Sequence, residues 1–225
     1  MADLSKVKKL LLDKGKDVTK VERSIAYLSG ADQTQKHTEM ELYSLVTKYI
    51  NAGVNLDGVN VVLTGKNMGL ITFHGYMNKV KQLHPNVFFD VQLVREGDDF
   101  KFAKESGSVV YTHNIGNPFK DNKIVGAYCV VKLNNDSGDE SLELLNDEDF
   151  AKMKGSSRNS STWNKWESEF WRKSVIKRAC KVYFTEEVRE LELIDNADFG
   201  IEDDEAPTDE ETKNKILAAH KKDKK

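Results

Sequence analysis

Five basic side chains fall within the eleven residues WRKSVIKRACK, positions 171–181. Lys173, Lys177 and Lys181 recur at every fourth position. At about 100° per residue on a helix they stack on one face, with Trp166 and Phe170 of the preceding turns in the same sector and Arg178 at its border. Ammonium groups neutralise phosphates and aromatic faces accept stacked bases, so the combination suits single-stranded nucleic acid. Trp171, Val175, Ile176, Ala179, Val182 and Tyr183 fall on the opposite side, which predicts the face laid against a core. Spacing alone leaves two readings of the basic face open: a polyanion track, or a solvated face whose aromatics tuck under a neighbour.

Other chemistry finds little support. The nearest approach to a phosphate loop, NVVLTGKN (60–67), lacks the first glycine and the Ser or Thr after the lysine of a Walker A motif. There is no G-x-S-x-G sequence, and no glycine-rich dinucleotide turn enters a helix. Cys129 and Cys180 lack metal-ligand spacing and fit a reduced, cytosolic setting. The five histidines, 37, 74, 84, 113 and 220, also lack ligand spacing, so His74 and His113 read as structural or surface groups. Asp90 on a strand, with Glu96, Asp98 and Asp99 at a turn, could supply a nuclease with metal ligands. A turn rich in solvated acids explains the same residues.

The elements that must position the basic helix read as an α+β chain. Apolar residues at helical spacing predict helices over 4–12, 19–28 and 38–52. After Gly53 the period falls to two, and GKNMG between GVNVVLT and GLITF marks a hairpin. A short helix, YMNKVKQLH, precedes the strands VFFDVQLVRE, DFKFAK, SVVYTH and KIVGAYCVVKL. In the last of these, Val125, Ala127, Cys129, Val131 and Leu133 alternate with Tyr128, Val130 and Lys132. That predicts a mostly antiparallel sheet with one buried and one partly polar face. A short strand over SLELL, a helix capped by Asn146, the polar loop GSSRNSST and one long helix from about 162 to 184 complete the body.

Hydrophobic residues make up 39% of the 225-residue chain and charged ones 32%, which implies a globular protein with a very polar surface. No apolar run reaches the roughly 18–20 residues of a membrane span, and the N-terminus reads as a first helix rather than a leader. The net charge of −3 is unevenly spread. Positions 186–211 hold 13 acids and one base, −12, and 212–225 hold six lysines and one aspartate, +5. Residues 1–185 therefore carry −3 + 12 − 5 = +4. A mildly basic body at 1–185 and a flexible acidic tail at 186–225 with a lysine-rich end are expected.

At this point the sequence resembles a known family. STWNKWESEFWRKSVIKRACKVYF (161–184) is similar to the signature of the RecT/Redβ phage recombinases, a Ser-rich loop and Trp leading to a basic helix. FHGYMNKV, VREGDDFKF, IVGAYCVVKLNN and DEDFAKMKGSSRNSSTW resemble further family segments in the same order, so the likeness covers about 40–185. The chain departs from the pattern at Thr162, where the family has Pro, at Phe73-His74-Gly75 and at EFWRK.

The resemblance implies an ATP-independent single-strand annealing protein rather than an enzyme. Such proteins bind single-stranded DNA exposed by a partner exonuclease, assemble as homo-oligomeric rings or helical filaments, and release annealed duplex in the host cytoplasm. A host single-strand-binding protein is a further implied partner. No cofactor is implied, and Mg²⁺ enters at most as a modulator of binding. Lys173, Lys177 and Arg178 match the family's basic helix and are expected at phosphates. Trp163 matches its loop Trp and would stack on a base or anchor the core. Lys181 continues the ladder by spacing alone, Lys132 lies on the polar strand face, and Lys66 tips the hairpin. Tyr76 and Lys79 open the helix after it, where Tyr76 also suits a core. The N-terminal helices would supply contacts between protomers. The acidic tail either competes with DNA for the groove or simply solubilises the chain. A metal-dependent nuclease and a structural assembly factor stand as the alternatives.

Overall fold

The computed structural model describes residues 4–15, 17–31, 34, 37–65, 68–105, 108–133, 140–156 and 160–199. Three amphipathic helices open the fold, α1 (Ser5–Asp13), α2 (Val18–Gly30) and α3 (Glu39–Asn51). The Asp17 carboxylate caps α2 by accepting from the amides of Thr19 and Lys20. Thr38 and Glu41 form a reciprocal capping box at α3. Their apolar stripes, Val7 and Leu11, Val21 and Leu28, and Leu42, Leu45, Val46 and Tyr49, are buried in one core.

The expected hairpin forms from β1 (Val61–Gly65) and β2 (Met68–Ile71), paired antiparallel. A side chain at Gly69 would meet the Tyr49 hydroxyl at 2.6 Å. That hydroxyl donates to the Gly69 carbonyl at 2.9 Å, so the glycine permits the hairpin to close on α3. Thr72 then caps α4 (Phe73–Leu83) by accepting from the Gly75 amide.

The strands that follow are β3 (Val87–Arg95), β4 (Asp99–Glu105), β5 (Ser108–Asn114), β6 (Ile124–Leu133) and β7 (Glu140–Asn146). β3, β6 and β7 build an antiparallel sheet in the order β3-β6-β7. Its inner face, with Val87, Leu93, Ala127, Cys129, Val131 and Leu145, belongs to the main core. The face expected to be partly polar is instead largely covered. β4 and β5 pair with each other, and Phe100, Val109 and Tyr111 pack on Tyr128, Val130 and Leu142 as a second, smaller core. Phe100 stacks on Tyr128 with centroids 5.1 Å apart. Val125 departs from the expected alternation and is 36% exposed. The register shifts there, pairing Val94 with Gly126 and Arg95 with Ile124, so Val125 is the extra residue of a bulge.

The β3–β4 turn turns on Gly97 at φ 93° and is tied down by a buried network. Asp98 accepts from the amides of Gly116 and Arg95. It also meets His113, whose other ring nitrogen lies 3.1 Å from the Tyr128 hydroxyl. Burial pushes the Asp98 carboxyl up, but the two amides and the His113 ring outweigh it and hold it below its ordinary value. A carboxyl depressed in the fold stabilises above the unfolded pKa, near 4, and that contribution is lost as pH falls through the folded value. Asp98→Asn is therefore expected to flatten the acid limb of a plot of urea midpoint against pH. A variant as acid-sensitive as the parent would place the titrating group elsewhere.

The C-terminal part contains α5 (Asp147–Ser156), α6 (Ser160–Lys165), α7 (Glu167–Tyr183) and α8 (Thr185–Phe199). The single helix expected over 162–184 is broken at Trp166, which has non-helical backbone angles and precedes α7 as its N-cap. Val175, Ala179, Ile176 and Cys180 are buried against the sheet. Cys180 and Cys129 are both buried, and burial pushes the Cys180 thiol up to about 12. Val182, expected on the core face, is 51% exposed, because it lies at the margin of that face in the last turn.

The boundary expected at 185 coincides with the start of α8. Residues 185–199 are helical and packed on α4, α7 and β2. Phe184, Val188 and Leu191 fall at i, i+4 and i+7 and are all buried. An apolar stripe thus holds a helix that its acidic composition concealed. The rest of the expected tail, from Gly200 onward, lies outside the described residues.

Candidate nucleic-acid interface

α7 runs between the sheet, on which its apolar face rests, and a cleft shared with α4 and α8. At its N-terminal end four rings stand in a column. Trp171 is fully buried and stacks on Phe150 at 4.0 Å and 8°. Phe150 meets Trp163 at 5.4 Å, and Trp163 stacks on Phe170 at 4.3 Å and 20°. Trp163 is therefore an aromatic anchor, stacked on Phe170 and tilted at 57° against Phe150, within the column. It is Phe170, at the end of the column, that carries the cation, with the Lys173 amine 5.1 Å from its centroid.

Around Lys173 the basic groups come from two helices. His74 on α4 lies tilted against Phe73, with ring centroids 3.9 Å apart. Its imidazole is held below its ordinary value by burial and then by the nearby charges of Lys173 and Lys81. Neither Lys173 nor Lys81 forms an ion pair with a described residue. Just beyond, Trp166 is 54% exposed with the Lys165 amine 5.7 Å from its ring. Open cations and aromatic surface thus converge at this end of the cleft. Lys81 and His74 escape a reading of α7 alone. Their seven-residue spacing on α4 was the available signal, because it puts both on one helical face.

The other end of the ladder is closed. Lys177 pairs with Asp195 of α8, and Lys181 pairs with Glu192 at 3.0 Å. Tyr76 forms the floor beneath them, fully buried, with the Lys177 amine 4.8 Å and the Lys181 amine 5.9 Å from its ring. Its hydroxyl donates to the same Asp195 oxygen at 2.7 Å. Burial and the Asp195 charge drive that hydroxyl far above its ordinary pKa. Tyr76 is a core residue, and its ring acts through the lysines above it. At the next point of α7, Arg178 clamps Glu143 of β7 and Asp149 of α5, both at 2.6 Å. Hydrogen bonding to Asp149 leads the rise of its pKa. Arg178 thereby joins α7 to β7 and α5, with both carboxylates already at its guanidinium.

The remaining expected contacts lie elsewhere. Lys132 alternates with Val130 on the outer sheet face, opposite α7, and pairs with Glu140 at 2.7 Å. The sheet separates it from the cleft. Lys79 turns to the far side of α4, where its amine covers Gly53 and the neighbouring Gln82 donates to the Gly53 carbonyl at 2.9 Å. Lys66 lies outside the described residues. The carboxylates considered for a metal do not converge: Asp98 is engaged by His113 and two amides, Asp99 by Lys101 and Asp90 by Gln92. Among the described residues no group of three His, Cys, Asp or Glu is placed to hold a metal ion. No described helix is long and apolar enough to cross a membrane.

Two comparisons complete the description. A model of the RecT family matches residues 57–216. No curated protein gives a significant match to the chain.

Proposed function

The chain belongs to the RecT family of recombination proteins, and from that premise we propose that it binds single-stranded DNA and anneals complementary strands without ATP. The observation that carries this reading is the open cluster of Lys173 and Lys81 beside His74 and Phe170. Two ammonium groups without an ion pair among the described residues suit phosphates, and the aromatic surface suits sugars and bases. Neutralising the backbone lowers the repulsion between two approaching strands. Base edges left outward then test complementarity by their own hydrogen bonds, so the protein needs no sequence readout. Rings or filaments of protomers would join such clusters into a continuous track, with α1 to α3 as the second surface. The setting proposed is the cytoplasm of a bacterial host, beside a nuclease that exposes single strands and a single-strand-binding protein.

The test mixes complementary oligonucleotides with the full chain, without nucleotide, with and without EDTA. Duplex is expected to form several-fold faster, from intact strands, in both conditions. Strands shortened unless EDTA is present would make the protein a nuclease instead. Unchanged annealing would favour an assembly factor.

A further inference from the structure

We propose that α8 is an intramolecular competitor for the DNA track, a helix whose carboxylates hold the lysines that phosphates take when the cleft opens. This rests on the annealing function proposed above. Lys173, Lys177 and Lys181 form one row, yet only Lys173 is open. The other two are occupied by Asp195 and Glu192, which succeed each other by one helical turn on α8. The order of the pairs shows α7 and α8 running antiparallel about the non-helical Phe184, which α8 follows directly. A third carboxylate, Glu187, meets His84 at the end of α4 at 2.8 Å. Three acids of one helix thus lie along the cleft as a row of negative charges in the place proposed for a phosphate backbone.

Two features separate this arrangement from ordinary packing. Asp195 is buried, and its Oδ2 takes both Lys177 and Tyr76, whereas Oδ1 is buried without a hydrogen-bond partner among the described residues. A buried carboxylate so incompletely satisfied is an unfavourable resident, and its release to water relieves that cost. The lysines, in turn, lose no partner when phosphates replace carboxylates above the Tyr76 ring. Opening therefore exchanges one set of anions for another but uncovers Val188 and Leu191, so its balance is set by the DNA binding that must offset their exposure. Single-stranded DNA would first meet Lys173, Lys81 and Phe170, then extend along Lys177 and Lys181 as α8 lifts.

The direct test follows amide hydrogen exchange in the full wild-type chain with and without an oligo(dT) probe. Faster exchange across 186–196 when the probe is bound is expected, and unchanged or slower exchange there overturns the proposal. A second arm measures oligo(dT) affinity for the doubly neutralised chain, Glu192→Gln with Asp195→Asn, after circular dichroism has confirmed its helix content. Binding about 5-fold or more tighter than wild type is expected for a coupling of this kind. Equal or weaker binding overturns it, because α8 would then be scaffold or part of the site. If neither chain binds oligo(dT), the annealing function itself fails and the competitor falls with it.

Discussion

Replacing Trp171 by alanine is expected to lower the unfolding free energy by about 3–5 kcal/mol, the range for removing a large aromatic from a packed core. The indole is fully buried and lies flat on Phe150. It is also the base of the column that ends in Phe170 under Lys173. Its loss opens a cavity between α5 and α7 and removes the support that aligns the open end of the cleft. Small domains have only about 5–15 kcal/mol in total, so the urea midpoint should drop sharply. Trp171→Phe distinguishes the stack from the bulk. The Trp171 Nε1 is buried without a hydrogen-bond partner among the described residues, and an unmet buried donor is unfavourable by about 1–3 kcal/mol. Phenylalanine keeps an aromatic ring on Phe150 and removes that donor, so its cost should be far below that of alanine. Equal losses for the two variants would show that a ring kept on Phe150 contributes nothing at this position.

The parts of the fold legible in the sequence are those set by local signals. Asp17 and Thr38 announce the starts of α2 and α3, GKNMG announces the β1–β2 hairpin, and EGDD announces the tight turn that ends β3. The parts that were not legible depend on contacts between distant segments. No local rule says that the β4–β5 hairpin folds over Tyr128 and Val130, which turns a face expected to be partly polar into a second core. The α8 stripe of Val188 and Leu191 is diluted by six acids, so the segment reads as tail until α4 and α7 supply the surface it covers. The candidate site divides in the same way. Helical spacing placed Lys173, Lys177 and Lys181 on one face, and the structure keeps them there. It could not show that Asp195 and Glu192 return to cover two of the three, or that Arg178 is committed to Glu143 and Asp149.

That division fixes where a charge deletion should matter most. Lys173→Ala combined with Lys81→Ala is expected to weaken single-strand binding and to lower the salt slope of log K by about 0.7 per lost phosphate contact, roughly 1.4 for the pair. Both amines lack an ion pair with a described residue, so the substitutions leave no buried charge behind and the fold should persist. Arg178→Ala is the contrasting case. It strands Glu143, whose side chain is only 13% exposed, and should lower stability rather than act through phosphates. Lys132→Ala, on the far face of the sheet and already paired with Glu140, should leave the slope where it was. Fluorescence anisotropy of a labelled oligo(dT) across a salt series, with unfolding midpoints in parallel, measures all three. A slope unmoved in the Lys173 and Lys81 variant but reduced in Lys132→Ala would transfer the track to the other face of the sheet. A slope reduced only in the first variant ties the track to the open end of the α4–α7 cleft, where two cations have no ion pair with a described residue.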